Sequence, residues 1–240
     1  MVSVVIPGPS GQPVRAVHTN EPMKNPHATG PSLYWDIRSH IVFGRLNPDE
    51  KLKASELRSN YAASLSTWRE LLKRLASEGF VTAREHMGFF VAPMSAAGLR
   101  EIADLRILLE NHALEQSFAA GDTDWEADVV SAYHKLQRME QRRAAGDSDI
   151  VEAWKRYDWE FHQSLIGACG SAELMALHGI VFDKYLRYQM RFLGYRGEVA
   201  AQEHRGLLDA ALARDAASAR TILKAHIHGG VDHALTFLRS

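Results

Sequence analysis

Four ionisable residues in the C-terminal half of the chain lie on helix faces that are otherwise apolar. Asp158 and His162 are four positions apart and share the face of a predicted helix with Phe161. His204 continues the apolar face of a later predicted helix, and His226 does the same in the next one. Burying such groups without partners costs on the order of several kcal/mol, so we expect each to be hydrogen-bonded, paired or metal-bound.

The residue types of this set allow two interpretations. An aspartate and a histidine at positions i and i+4 present an oxygen and a nitrogen to one side of a helix, within reach of a single ion. One carboxylate with three imidazoles suits Zn²⁺, Ni²⁺ or Mn²⁺ and leaves coordination positions for water or a ligand. The same spacing is also typical of a structural hydrogen-bonded pair, and spacing alone leaves both interpretations open.

Arg106 is a further charged residue on an apolar helix face, the face marked by Leu99 and Ala113. In a helical interior its planar guanidinium suits a carboxylate, which could belong to a ligand or to the nearby Glu110. His112 and His134 could also line this site, although we expect them in the core or on the surface. Arg187 and Arg191 could reach inward, although we expect them on a solvated face, and His228 and His233 are expected on the surface or in pairs.

The elements that must position these residues are predicted to be helical almost throughout. Beyond Pro93 the apolar spacing follows the helical period and is interrupted by short breaks such as Gly121-Asp122. Six helices with short connections predict an antiparallel bundle in residues 95–240. The predicted helices span about 99–119, 124–145, 150–168, 173–194, 199–213 and 216–237.

The N-terminal part has a different pattern. Residues 1–31 contain six of the eight prolines and no sustained periodicity, which is typical of a flexible tail. In residues 32–94 we predict three helices and a hairpin, which together make a winged helix-turn-helix domain. The first predicted helix has Ser32 as its N-cap, runs through Val42 and is ended by Gly44, and a turn follows at Asn47–Asp49. The other predicted elements are the helices Glu56–Tyr61 and Ser66–Ser77 and the strands Phe80–Arg84 and Phe89–Ala92, which flank a turn at His86–Gly88.

The third of these helices points most directly to a class of partner. Trp68, Leu71, Leu72 and Leu75 fall on one helical face, and Gly79 follows as the residue that ends the helix. The opposite face is polar and largely basic. A short amphipathic helix with a hydroxyl-rich start and a basic exposed side fits the major groove of DNA.

Composition sets limits on the class of protein. The 240-residue chain has apolar and charged fractions of 46% and 24%, which are ordinary for a soluble globular protein. Residues 1–95 hold 11 Lys and Arg against 8 Asp and Glu, and the remaining residues hold 17 against 21, so a weakly basic part precedes an acidic one. With one cysteine, Cys169, and no apolar run near the roughly 20 residues that cross a bilayer, we expect a cytoplasmic protein.

These features resemble the GntR-type transcriptional regulators of the FadR branch, whose all-helical effector domain is called FCD. The resemblance covers roughly Leu33 to Phe237. In the N-terminal part it rests on Gly44-x-x-x-Pro48-x-Glu50-x-Leu52, Ser64-x-Ser66-x-x-Arg69-Glu70-x-Leu72-x-x-Leu75, Ala76-Ser77-Glu78-Gly79-Phe80-Val81 and the wing glycine Gly88. In the C-terminal part it rests on Leu105-Arg106-x-x-Leu109-Glu110, Asp158-x-x-Phe161-His162-x-x-Leu165, Glu203-His204 and His226.

The resemblance implies a ligand-responsive, homodimeric DNA-binding regulator, most often a repressor, and not an enzyme. Two subunits would bind the two half-sites of a near-palindromic operator. Ser64 is expected to cap the DNA-reading helix, and Trp68 to pack inward. The residues expected at the DNA are Ser66, Thr67, Arg69, Lys73, Arg74, His86 and Gly88.

In the effector domain the resemblance implies a divalent metal ion held by Asp158, His162, His204 and His226. Zinc is the expected metal, with nickel or manganese as alternatives. The ion would coordinate a carboxylate of a small organic acid, and Arg106 would hold another of its oxygens. Two alternatives remain, namely a purely structural ion and a metal-dependent enzyme acting on a small carboxylate, for which the sequence shows no general base.

Overall fold

The computed structural model describes residues 6–7, 13–14, 30–53, 63–192 and 195–238. The chain divides into two compact units, Met1–Ser95 and Ala96–Ser240. The described residues contain eight α-helices and only short strands, so the predicted mainly α class is confirmed. Within the same residues, no helix is long and apolar enough to cross a membrane.

The N-terminal unit begins with two short strands, β1 (Ile6–Pro7) and β2 (Pro13–Val14), which pair antiparallel. Most of the predicted tail lies outside the described residues. Helix α1 spans Gly30–Val42, so it begins two residues before the predicted N-cap Ser32, which instead lies in its first turn. Pro31 is compatible with this earlier start because the first turn of a helix does not use its backbone N–H groups.

Helix α2 spans Leu65–Ser77 and has the predicted amphipathic pattern. Ser64 is its N-cap, and the Ser64 hydroxyl accepts a hydrogen bond from the Thr67 backbone N–H at 3.2 Å. Trp68, like the three predicted leucines, is buried. The predicted helix Glu56–Tyr61 lies outside the described residues.

A hairpin follows α2. Gly79 has a φ of 80°, a left-handed conformation that lets the chain leave the helix, as predicted. Strands β3 (Val81–Arg84) and β4 (Gly88–Val91) then pair antiparallel, with Val81 opposite Val91. Because α1 contacts α2 and α2 contacts β3, the described elements fit the predicted winged helix-turn-helix arrangement.

The C-terminal unit consists of six helices. They are α3 (Ala96–Ala120), α4 (Thr123–Ala144), α5 (Val151–Leu165), α6 (Ala172–Phe192), α7 (Glu198–Leu212) and α8 (Ala216–Leu238). Helix α3 packs against α6 and α8, α4 packs against α5 and α7, and α7 packs against α8. This arrangement is the predicted helical bundle, and it brings residues far apart in sequence to one interior.

The N-cap of α2 gives a testable prediction. Replacing Ser64 with Ala removes the side-chain acceptor for the Thr67 N–H, and the cost should be about 1 kcal/mol of local stability. Hydrogen exchange of the α2 amides measures this cost. Ser77→Ala, at the exposed other end of the same helix, is the matched control and should change exchange much less. Equal protection in the Ser64→Ala variant and the wild type would contradict the capping role.

Candidate metal centre

The four predicted metal ligands converge inside the C-terminal unit. Helix α5 carries Asp158 and His162, α7 carries His204, and α8 carries His226. All four are buried, and each offers one ligand atom such that these atoms lie within 4.8 Å of one another. Residues on three separate helices therefore present one carboxylate oxygen and three imidazole nitrogens to a common centre.

Two imidazole nitrogens at this centre have no hydrogen-bond partner. His204 Nε2 is 3.2 Å from Asp158 Oδ1, and His162 Nε2 is 4.0 Å from the same oxygen. Although the first distance is short, neither nitrogen has a hydrogen bond of acceptable geometry, and both are buried. Buried polar atoms almost always have partners, so a metal ion fits this donor set as the missing partner.

A glutamate holds each imidazole from its other side. In each case Nδ1 donates a hydrogen bond to the carboxylate: His162 to Glu110 at 2.9 Å, His204 to Glu140 at 2.6 Å, and His226 to Glu203 at 2.8 Å. A proton on Nδ1 leaves the lone pair of Nε2 free on the opposite side of the ring. This carboxylate–histidine pattern is the one that orients metal-binding imidazoles in proteins.

Burial and neighbouring charges control the protonation of the three histidines. Burial, with the charge of Arg106, lowers the pKa of His162 to about 4. Burial and the positive charge of His204 lower the pKa of His226 to about 3. Burial also disfavours charge on His204, but the nearby carboxylates of Asp158 and Glu140 outweigh it and raise this pKa to about 9. Two of the imidazoles are therefore neutral near pH 7, as metal ligands must be, and a metal ion would displace the proton of the third.

Arg106 pairs with Glu110, one of the two carboxylate partners that the sequence predicted for it. Its Nε donates a hydrogen bond to Glu110, and its guanidinium stacks on Phe182, with Cζ 4.1 Å from the ring centroid. Burial raises the pKa of Glu110, but the charge of Arg106 outweighs this and holds that pKa well below its usual range. Arg106 Nη2 is buried without a hydrogen-bond partner, so one donor of the fork remains for a ligand.

Sequence reasoning missed several residues of this network. His178 Nε2 is 2.9 Å from Glu110, and Lys155 Nζ donates a hydrogen bond to Asp158 at 3.2 Å. The supporting role of Glu140 was also missed. For Lys155 the signal was present, because it lies three positions before Asp158 on the same helix. The other two are joined to the site only by tertiary packing.

The helix that carries His226 is also held through its backbone. Arg196 donates one hydrogen bond to the His226 carbonyl at 3.0 Å and another to Glu203 at 3.1 Å. A Cβ on Gly229 would clash with the Arg196 guanidinium, and a Cβ on Gly230 would clash with the Tyr185 hydroxyl. The two adjacent glycines of α8 thus allow side chains from other segments to reach its backbone.

The residues predicted outside the site have mixed outcomes. His112, His134 and Arg191 are exposed, in agreement with the prediction. Arg187 was expected on a solvated face, but it is buried, so that prediction is wrong. The reason is that α6 contacts α3, α5 and α8, which leaves no solvated side at residues 185–189. His228 is exposed near Asp104, at 3.8 Å.

The residues predicted to contact DNA lie on the N-terminal unit, and they differ in exposure and in whether they already have intramolecular partners. Ser66, Arg69 and the wing residues His86 and Gly88 are exposed, and Thr67 is half-buried. Two basic residues already have intramolecular partners. Lys73 pairs with Glu70 at 2.9 Å, and Arg74 pairs with Glu78 at 3.3 Å while its guanidinium lies 3.8 Å from the Tyr34 ring centroid. Arg69 is therefore the better placed of these cations for an intermolecular contact.

The buried Arg106–Glu110 pair gives a second prediction. Glu110→Gln leaves a buried guanidinium without a countercharge, which should lower the free energy of unfolding by about 3–5 kcal/mol. Urea denaturation in the presence of a chelator measures this loss independently of any metal. Glu115→Gln on the exposed face of the same helix is the control and should change stability by less than about 0.5 kcal/mol. A similar small change for Glu110→Gln would show that the pair does not stabilise the unit.

Comparison with known proteins identifies both units. Residues 31–91 match the gntR family of bacterial regulatory proteins, and residues 101–229 match the FCD domain. The chain is 35% identical to the HTH-type transcriptional regulator BphR of Paraburkholderia xenovorans (strain LB400) over 213 residues, which cover 88% of this chain and 86% of that protein. It is 33% identical to the HTH-type transcriptional repressor GlaR of Escherichia coli (strain K12) over 199 residues, 80% and 89% of the two chains.

The fold also has a solved counterpart. The structure of McbR/YncC from E. coli superposes with a TM-score of 0.73 over 86% of this chain and 97% of that one, at 17% sequence identity. The matched families and relatives are DNA-binding transcriptional regulators, and this chain is a regulator rather than an enzyme. It belongs to the GntR family of bacterial regulatory proteins, with an FCD domain after its winged helix-turn-helix.

Proposed function

We propose that this chain is a transcriptional repressor whose FCD domain senses a small organic acid through a bound divalent metal ion. It binds a palindromic operator as a homodimer and acts in the cytoplasm, where the chromosome is. The convergence of four buried ligand atoms within 4.8 Å carries the sensing half of this proposal. The family assignment and the exposed basic side of α2 support the DNA-binding half.

The DNA contacts follow from the orientation of α2. Its apolar face is buried, so the face that carries Ser66, Thr67 and Arg69 is available to base edges in the major groove. Lys73 and Arg74 lie further along the helix, where basic side chains contact phosphates. The turn of the wing, with His86 and Gly88, extends toward the adjacent groove. Two copies of this unit would bind two half-sites.

The donor set supports a metal ion. One carboxylate and three imidazoles match the preferences of Zn²⁺, and Ni²⁺ or Mn²⁺ also accept such ligands. The three glutamates that hold the Nδ1 atoms fix the ring orientations before an ion arrives. A divalent ion would supply a positive centre that binds carboxylate oxygens. Four protein ligands would leave a coordination position for one oxygen of the acid.

An organic acid fits the positive groups that surround this centre. Arg106 keeps one buried, unpartnered guanidinium nitrogen, and it lies close enough to His162 to lower the pKa of that histidine. A planar guanidinium pairs well with a carboxylate. One relative, the gluconate operon transcriptional repressor of Bacillus subtilis, is 33% identical over 142 residues and is named for a sugar-acid operon. We therefore expect a sugar acid or hydroxy acid as the effector.

The acid changes DNA binding only if it binds two states of the dimer with different affinities. The ligands lie on α5, α7 and α8, so an acid that bridges the ion and Arg106 also joins these helices to α3. A change in the relative positions of these helices would alter the spacing of the two DNA-reading helices in the dimer. This linkage accounts for a response at the operator without any chemical conversion of the acid.

The DNA half of the proposal is tested with the intergenic DNA upstream of the gene for this chain. We expect a specific complex in gel shifts, and Arg69→Ala should weaken it about tenfold or more because a base or phosphate contact is lost. Arg138→Ala, an exposed arginine of the C-terminal unit, is the control and should bind like the wild type. Failure of the wild type to form a specific complex, with no effect of Arg69→Ala, would overturn this half.

The sensing half is tested by metal analysis and thermal shifts. Wild-type protein should hold one divalent ion per chain, and sugar acids or hydroxy acids should raise its melting temperature in a chelator-sensitive manner. His204→Ala should lose both the metal and the response, because it removes a ligand from the centre. His134→Ala, which removes an exposed histidine, is the matched control and should retain both.

Three outcomes separate the alternatives. A wild type without metal overturns the metal centre. Loss of metal in His204→Ala with an intact acid response shows that the ion is structural and that the acid binds elsewhere. Loss of both together supports the proposal, provided that the variant keeps the folded far-ultraviolet circular dichroism spectrum of the wild type.

A further inference from the structure

A buried lysine lies directly beside the four ligands, and the proposed function does not use it. Lys155 is on α5, one turn before Asp158, and its side chain is only 6% exposed. Its Nζ lies 4.0 Å from the centroid of the Trp154 ring. A buried ammonium is unfavourable unless it is paired, so its hydrogen-bond partner indicates what it does at this position.

The partner of Lys155 is one of the two oxygens of Asp158. Lys155 Nζ donates a hydrogen bond to Oδ2 at 3.2 Å. The other oxygen, Oδ1, faces the centre, at 3.2 Å from His204 Nε2 and 4.0 Å from His162 Nε2. The two oxygens of the Asp158 carboxylate therefore face different groups: Oδ1 faces the imidazoles, and Oδ2 is bonded to the ammonium of Lys155.

This division affects how the aspartate can bind an ion. A carboxylate binds a metal through one oxygen or through both. When Oδ2 is engaged by Lys155, only Oδ1 is available to the centre. The positive charge of the ammonium also disfavours a nearby dication. Both effects weaken metal binding, so the contact between Lys155 and Asp158 bears directly on how an ion would be held.

We propose that Lys155 is a positioning residue that withholds Oδ2 of Asp158 from the metal ion, so that a coordination position stays free for the organic acid. This role rests on the proposed function, because it requires an ion at the four ligands. Lys155 lowers the affinity for the ion and keeps the bound ion accessible. Without the lysine, Asp158 would chelate through both oxygens and occupy the position that the acid needs.

The test uses the full chain loaded with Co²⁺, whose visible absorption reports the coordination number. Lys155→Met keeps the length of the side chain over Trp154 but removes the donor and the charge. We expect this variant to bind Co²⁺ about tenfold more tightly and to show weaker visible absorption, because a further oxygen joins the ion. Acetate and the uncharged ligand imidazole should perturb its spectrum only at about tenfold higher concentration than in the wild type.

Two further variants make the result specific. Lys155→Arg keeps a charged donor to Oδ2 and should restore the wild-type spectrum. Lys135→Met is the matched control, since Lys135 is also a helix lysine paired with a carboxylate, that of Glu160, but lies on the surface. It should leave the Co²⁺ affinity, the spectrum and both probe titrations unchanged.

Several results would overturn the role of Lys155. One is a Lys155→Met spectrum equal to that of the wild type, even when acetate alone binds more weakly, because the lysine would then act only by its charge. Another is weaker Co²⁺ binding in Lys155→Met together with a lower melting temperature of its metal-free form, which indicates a purely structural lysine.

A measurement on the wild type keeps the inference testable if Lys155→Met does not fold. In the infrared difference spectrum between the metal-loaded and metal-free protein labelled with ¹³C-aspartate, the separation of the two carboxylate stretches distinguishes one-oxygen from two-oxygen binding. A wide separation supports one-oxygen binding by Asp158, and a narrow one overturns it. If wild-type protein binds no Co²⁺ at all, the metal centre of the proposed function fails, and the role of Lys155 fails with it.

Discussion

The structure of the C-terminal unit depends on the requirement that buried charges have partners. Glu110 and Asp158 are nearly inaccessible to solvent, and Glu140 is similarly buried beside His204. In an interior of low polarity an unpaired carboxylate would be very unfavourable. Each is instead satisfied by an imidazole, a guanidinium or an ammonium. The same hydrogen bonds that make these charges tolerable also aim the imidazole Nε2 atoms at one centre.

This arrangement joins the whole bundle. The three imidazoles lie on α5, α7 and α8, whereas the glutamates that orient them lie on α3, α4 and α7. Helix α6 joins the network through His178, which shares Glu110 with His162. Every helix of the unit therefore contributes a polar group to one connected cluster. A displacement of any helix would therefore change hydrogen bonds within this cluster.

The sequence was informative about elements and about polar residues that interrupt apolar faces. Helical periodicity located all six helices of the bundle to within a few residues, because their apolar positions recur with the helical repeat. The four candidate ligands were found because they interrupt the apolar faces that this periodicity defines. The supporting glutamates were harder to identify, since Glu140 and His204 are 64 positions apart and only tertiary packing joins them. Arg187 was misplaced because periodicity cannot show that a helix is enclosed on several sides.

Gly229 and Gly230 have a consequence for how variation in this chain should be interpreted. These residues carry no donor atoms, yet they allow Arg196 and Tyr185 to reach backbone carbonyls next to the last imidazole of the cluster. An alanine at either position would leave all four candidate ligands intact but would displace the Arg196 or Tyr185 side chain from its hydrogen bond to the backbone of α8. A comparison of related chains by their candidate ligand residues alone would therefore not register such a change, although the surroundings of His226 would differ.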